Sequence, residues 1–294
     1  MSTVILLAVT GVGLGALYFL VAAGLSLIFG LMRVLNFAHG AFLTLGAYLG
    51  YLAGQHLGGT GSTPRFVVAL LCGAAAGALV AVLTELLLIR PLYAREIDQV
   101  LVTVGLGLMV TAVVIGTWGS TAVHFAPPAW VSATTSIGGA RIPNDRFLVI
   151  AVAGLVLVGL LAFLRRTRYG LVVRAGVENR SMVTALGIDV RRAFTLVFAI
   201  GGAAAGLGGV LTGVYFHAVS PALGSSMLIF AFIVVVIGGL GSVTGSAVAA
   251  VVVGLLQQFA NYYTAAGVGD LAVVFLLALV LLVRPHGLMG RALA

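Results

Sequence analysis

This chain of 294 residues predicts an all-α fold, a polytopic membrane bundle of about eight to nine segments that include broken or re-entrant helices. Three observations predict it. The chain is 62% hydrophobic and 7% charged, whereas soluble domains carry about 25% charged residues, so it cannot cover a globule with polar surface. Apolar runs recur that are long enough to cross ~30 Å of hydrocarbon. There are 41 glycines, several of them four residues apart, as close backbone packing between helices in lipid requires.

Taken in order, the long apolar runs fall at about 4–30, 66–89, 99–116, 147–164, 193–216 and 271–283, and shorter or glycine-interrupted ones at 40–54, 225–240 and 246–263. No basic residue precedes the first run, so it reads as a retained membrane helix rather than a cleaved signal. Gly46/Gly50/Gly54, Gly73/Gly77, Gly202/Gly206 and Gly209/Gly213 are the packing candidates. The longest connection, 117–146, holds Trp118 and Trp130, which suit the headgroup belt. The whole chain, 1–294, reads as one transmembrane domain.

Arginine sets the orientation, because Lys/Arg concentrate in cytoplasmic loops. With nine alternating segments and the N-terminus outside, Arg33, Arg90, Arg95, seven arginines between 165 and 192, Arg284 and Arg291 all fall inside. Arg65, Arg141 and Arg146 fall outside. The C-terminus is therefore expected in the cytoplasm. The formal charge of +8 lies in short loops beside aliphatic residues, which suits a lipid headgroup surface and not nucleic acid.

Several functions are excluded. Lysine is absent, so the chain has no Walker A motif, whose lysine holds the β- and γ-phosphates; ATP, if used, binds on another subunit. The single cysteine, Cys72, allows no intrachain disulfide, and the five histidines show no metal-ligand spacing. No Ser/His/acid set stands out as a catalytic triad, so the chain reads as no enzyme and as needing no cofactor of its own.

Two interruptions are candidates for a translocation path. In residues 24–50, Asn36, His39 and Gly40 break an apolar run; in 234–254, Gly238, Gly239, Gly241 and Ser242 break another. Broken helices commonly mark transport sites, and paired breaks point to internal repeats. An ordinary interfacial turn and a tight interhelical loop explain the same residues. Glu85, inside an apolar run, is expected to pair with Arg90, and Asp270 to cap the last helix at its N-terminus. In a rival reading the chain is an ion-coupled secondary transporter or small-solute channel, with Glu85 or Asp270 as coupling charges.

Residues 165–192, RRTRYGLVVRAGVENRSMVTALGIDVRR, form a polar island. Between Arg174 and Leu186 the spacing predicts a short amphipathic helix, with Val173, Val177, Met182 and Leu186 on one face and Gly187 as its stop. Such a helix lies on headgroups or in the groove of a cytoplasmic partner.

ENRSMVTALGIDVRRAFTLVFAIGGAAAGLGGVL resembles the coupling segment of the LivH-type permeases of branched-chain amino-acid ABC importers. GLSLIFGLMRVLNFAHGAFLTLGAY, TELLLIRPLYAR, GGLGSVTGS and VLLVRPHGLMGR agree with that family in order, over essentially the whole chain. The importer EAA motif is not present literally. The resemblance implies a permease subunit with two cytoplasmic ATPase subunits, a second homologous permease and an extracytoplasmic substrate-binding protein. Family substrates are leucine, isoleucine and valine, or urea, amides and similar solutes. It also implies that Arg174, Glu178, Asn179, Arg180, Met182, Leu186 and Gly187 meet the ATPase.

Overall fold

Hydrocarbon offers no hydrogen-bond partner, so a spanning backbone must satisfy itself within helices. A computed structural model shows how this chain does so. It describes residues 2–32, 36–57, 59–93, 95–178, 182–183 and 190–290, with 177 and 178 as backbone only. The helices are α1 (Ser2–Met32), α2 (His39–His56), α3 (Thr63–Thr84), α4 (Glu96–Trp118), α5 (Ala129–Ser132), α6 (Asn144–Arg166), α7 (Arg168–Glu178), α8 (Val190–Phe216), α9 (Leu223–Gly238), α10 (Val243–Tyr263) and α11 (Val268–Val283). A π turn, Glu85–Ile89, and a 3-10 turn, Arg90–Leu92, continue α3. Pro64 occupies its first turn, where the missing N–H is no loss.

Six helices (α1, α3 with its continuation, α4, α6, α8 and α10) are long and apolar enough to cross a membrane, and α9 and α11 are shorter apolar helices. With α2 they account for the nine expected segments among the described residues. In α1 and α8, 61% and 67% of the apolar window is buried, against 17% in α4 and α6, so the first pair forms the centre and the second the rim. The long connection is ordered by short strands. β2 (Thr134–Ile137) and β3 (Ala140–Pro143) form an antiparallel hairpin, and β1 (Val123–His124) pairs antiparallel with β4 (Ala218–Val219). Trp118 packs on Tyr48, and Trp130 donates from its ring nitrogen to Thr63 Oγ1 at 2.9 Å.

Glycine lets the central helices touch backbone to backbone. A Cβ on Gly46 would strike the Gly206 backbone, one on Gly77 the Gly202 backbone, and one on Gly50 would lie 2.8 Å from the Ala69 carbonyl. Gly11 and Gly15 of α1 meet Gly254 and Ala250 of α10 in the same way. These contacts run antiparallel for α1 with α10 and for α3 with α8, the two most extensively packed pairs.

The pairs are equivalent because the fold repeats with inverted direction. Helices α1–α4 correspond in order to α8–α11. α1 and α8 cross antiparallel, with Gly24 on Gly201 and Leu20 beside Gly208. The bundle thus has one end with Arg165, Arg166, Arg168 and Arg174, the arginine end, and an opposite end with the β strands. Gly176 of α7 abuts Leu31 near the end of α1, and Arg146 at the start of α6 donates to the Tyr215 carbonyl near the end of α8.

The island helix differs from expectation. It starts at Arg168, six residues earlier, directly after Thr167, whose hydroxyl accepts from Gly170 N at 2.9 Å. Val173 is buried against the bundle, and Met182, beyond the end of α7, is exposed. Asn179, Arg180, Leu186, Gly187 and the Glu178 side chain lie outside the described residues.

Candidate functional site

The first predicted break lies between α1, which ends at Met32, and α2, which begins at His39. Before α2, Asn36 Oδ1 accepts from Ala38 N at 3.0 Å, and His39 N donates to the Asn36 carbonyl at 3.2 Å. Ala38, at φ −68° and ψ −8°, then opens the helix. A second interruption has the same build. Leu223 N donates to the Ser220 carbonyl at 3.0 Å, and Ala222, at φ −82° and ψ −1°, opens α9. Asn36-Phe37-Ala38-His39-Gly40 and Ser220-Pro221-Ala222-Leu223-Gly224 are thus one turn used twice.

The two helix starts meet. A Cβ on Gly40 would lie 2.6 Å from the Gly224 carbonyl oxygen, and one on Gly224 would collide with Gly40. Thr44 Oγ1 bridges them, accepting from Gly224 N at 3.1 Å and donating to the Gly40 carbonyl at 3.1 Å. From this point α2 runs ~24 Å to the opposite end and α9 ~21 Å to the arginine end, at ~1.5 Å per residue. The crossing therefore sits near the middle of the bundle's depth. Interrupted backbone at that depth is tolerated only inside protein or beside a water-filled path.

His39 is fully buried there. Its Nε2 lies 3.1 Å from the Val21 carbonyl, which can only accept, so Nε2 carries the proton and Nδ1 is left as an acceptor. Among the described residues Nδ1 has no partner, nor does the Asn36 amide nitrogen. The ring packs edge-on against Phe42, with centroids 5.5 Å apart. On the rim side, Phe37 N donates to Thr103 Oγ1 of α4 at 3.3 Å.

Gly238, Gly239, Gly241 and Ser242 are not the partner of the first break. They make the tight turn between α9 and α10 at the arginine end. Gly239 and Gly241 have φ of +102° and +83°, and Ser242 caps α10 by accepting from Gly245 N at 3.1 Å. Leu288 N and Met289 N of the C-terminal tail donate to the Ile237 and Gly238 carbonyls at 2.7 and 3.1 Å, so the tail caps α9. The sequence pairing failed because a glycine-rich turn and a half-helix start share a composition. The missed signal was the spacing of Ala and Gly in NFAHG and SPALG.

Two expected acid roles also change. Glu85 takes part in neither ion pair found among the described residues, which are Arg95–Asp98 and Arg146–Asp145; Arg90 is exposed instead. The π turn that begins at Glu85 directs the carboxylate inward, where it accepts from the hydroxyls of Tyr93 and of Thr195, the latter at 2.8 Å. Asp270 accepts from the Gln257 amide at 2.6 Å, and Gln257 in turn accepts from the Tyr18 hydroxyl at 2.7 Å. Asp270 thus ties α11 to α10 and α1. Gly267, not an acid, is the N-cap of α11.

Residues 7–284 match the family described as branched-chain amino acid transport system / permease component. The chain belongs to this permease family. Relatives include the high-affinity branched-chain amino acid transport system permease protein LivH of Escherichia coli K12, 30% identical over 96% of this chain and 94% of its own. BraD of Pseudomonas aeruginosa is 29% identical over 96% and 94%. The probable LivH of Methanocaldococcus jannaschii is 28% identical over 92% and 88%. No solved structure matches. The match spans both halves of the inverted repeat, so the central crossing belongs to the permease as a whole. The chain is a multi-pass membrane permease.

Proposed function

We propose that this permease is the translocating subunit of an ATP-driven importer for branched-chain amino acids or similarly small solutes, in the cell membrane of a prokaryote. One observation carries the reading: two half-helices start together near mid-depth and run to opposite ends, in a chain whose relatives are named as branched-chain amino acid permeases. A crossing of this kind changes access when either half-helix tilts, because no continuous helix ties the two ends together at that point.

The parts take these roles. The arginine end faces the cytoplasm, with the C-terminus there. Two ATPase subunits seat on the segment that includes Arg174, Glu178, Asn179, Arg180, Met182, Leu186 and Gly187, and they bind the ATP. Arg174 is exposed at that end, as this requires. The opposite end, with the β2–β3 hairpin and exposed Trp130, receives an external binding protein. The lightly buried α4 and α6 leave room for a second, homologous permease and for lipid. The path passes Asn36, His39 and Gly40, with Gly238, Gly239, Gly241 and Ser242 at its cytoplasmic end. For ATP to drive the change, the ATPase must contact the two states differently.

Proteoliposomes with the permease, its ATPase subunits and binding protein test the reading. ATP-dependent accumulation of leucine, isoleucine or valine is expected. Accumulation driven by an ion gradient without ATPase subunits would instead establish a secondary transporter.

A further inference from the structure

We infer that Glu85 is a positioning residue that locks α3 to α8, so that motion delivered at the island reaches the mid-depth crossing. The inference rests on the importer reading above.

Glu85 is fully buried, and two hydroxyls hold its carboxylate. Burying a carboxylate this way is costly, and a purely apolar residue would pack the same contact at lower cost. The carboxylate therefore answers to something besides packing. Its two oxygens reach two different elements. One accepts from Tyr93, in the turn after α3. The other accepts from Thr195, in the second turn of α8, the helix that follows the island directly. Tyr93 also stacks edge-on against Phe194, with centroids 5.2 Å apart, and Phe194 is itself buried. The start of α8 is thus gripped on two consecutive residues from the end of α3.

The π turn supplies the geometry. It inserts an extra residue per turn at Glu85–Ile89, and such insertions occur mostly as isolated turns at functional places. Further along the same pair, Gly77 meets Gly202 and Gly73 meets Gly206, so α3 and α8 are in backbone contact to their middle. Gly46 and Gly50 of α2 pack into that pair, and α2 begins at the crossing. A continuous packed path therefore joins the island to Gly40. With Glu85 engaged, α8 and α3 shift together. Without the carboxylate to accept from Tyr93 and Thr195, the α8 start moves alone and ATP turnover continues without transport.

The test uses the full complex in proteoliposomes and compares wild type, Glu85→Gln, Thr195→Val, Thr195→Ser and the Glu85→Gln/Thr195→Val double variant. Glu85→Gln keeps the shape but replaces one acceptor oxygen by a donor. The expected result is a fall of about fivefold or more in solute accumulated per ATP hydrolysed, with basal ATP turnover retained. Thr195→Val falls in the same direction, Thr195→Ser restores the ratio, and the double variant is no worse than Glu85→Gln. A parallel fall of uptake and ATP turnover marks a folding defect and overturns the inference, as does an unchanged ratio. Spin labels at Leu87→Cys in the π turn that continues α3 and Ala199→Cys on α8, with Cys72→Ser, provide a readout independent of uptake. In nucleotide-free vesicles Glu85→Gln should broaden the distance distribution; an unchanged distribution also overturns the inference. Should the wild-type complex show no ATP-driven uptake, the importer reading falls, while the label distances still decide the α3–α8 lock.

Discussion

Gly40 and Gly224 allow two helix starts to touch, and each does so only because it lacks a Cβ. Gly224→Val should push backbone against backbone and cost the folded state about 1–3 kcal/mol, read as lower membrane abundance and a lower unfolding temperature in detergent. Gly105→Ala on α4 meets open space and should stay within ~0.5 kcal/mol of wild type. Equal damage from both would contradict the packing. His39 offers a second check. Nitrogen NMR of labelled histidine should show its Nε2 protonated and Nδ1 bare, as donation to the Val21 carbonyl demands; the opposite tautomer would rule that bond out. Asn36, His39 and Gly40 were legible in the sequence because polar residues stand out in an apolar run. Gly224 was not, since Ser220, Pro221 and Ser225 around it read as an ordinary turn between two apolar runs and not as a break that meets Gly40.

Among the elements, the turn after α9 and the C-terminal tail complete each other. Gly239 has φ +102°, and a Cβ there would lie 2.7 Å from Gly290 Cα. Gly239→Ala should therefore lose about 1–3 kcal/mol through strain and clash. Ending the chain at Pro285 should expose the Ile237 and Gly238 carbonyls and loosen the last turn of α9. Hydrogen exchange measures this: the Leu288 and Met289 amides should be protected in the full chain, and the truncated chain should exchange faster through the α9–α10 turn. Equal protection in both chains would show that the tail is not a cap. GGLGS was legible as a turn from its glycines. Its occupant was not, because the contact joins segments about fifty residues apart in the chain.

For the molecule as a whole, the proposed orientation rests on arginine placement. In cells bearing Cys72→Ser, a membrane-impermeant maleimide should modify Thr135→Cys from outside, and Arg168→Cys only after permeabilisation; both positions are exposed, at opposite ends. The reverse pattern would invert the permease and overturn the proposed seat of the ATPase subunits at the arginine end. The inverted repeat makes the same demand on the fold. Since α8–α11 mirror α1–α4 in direction, one half-helix opens toward each side, and neither half alone completes the crossing.

The membrane class, the positions of the nine segments, the arginine end and the packing glycines were all written in the residue order. They follow from local terms: hydrophobicity over a span, loop charge, and the absence of a Cβ. Three things emerged only when the helices were placed against one another: which break pairs with which, that Glu85 answers to Thr195 and Tyr93 rather than Arg90, and that the tail closes α9. The physical reason is that helices in lipid associate through packing and polar contacts between residues far apart in the chain. No local pattern records the partner across such a contact, and so the route from the polar island to Gly40 could not be read from sequence.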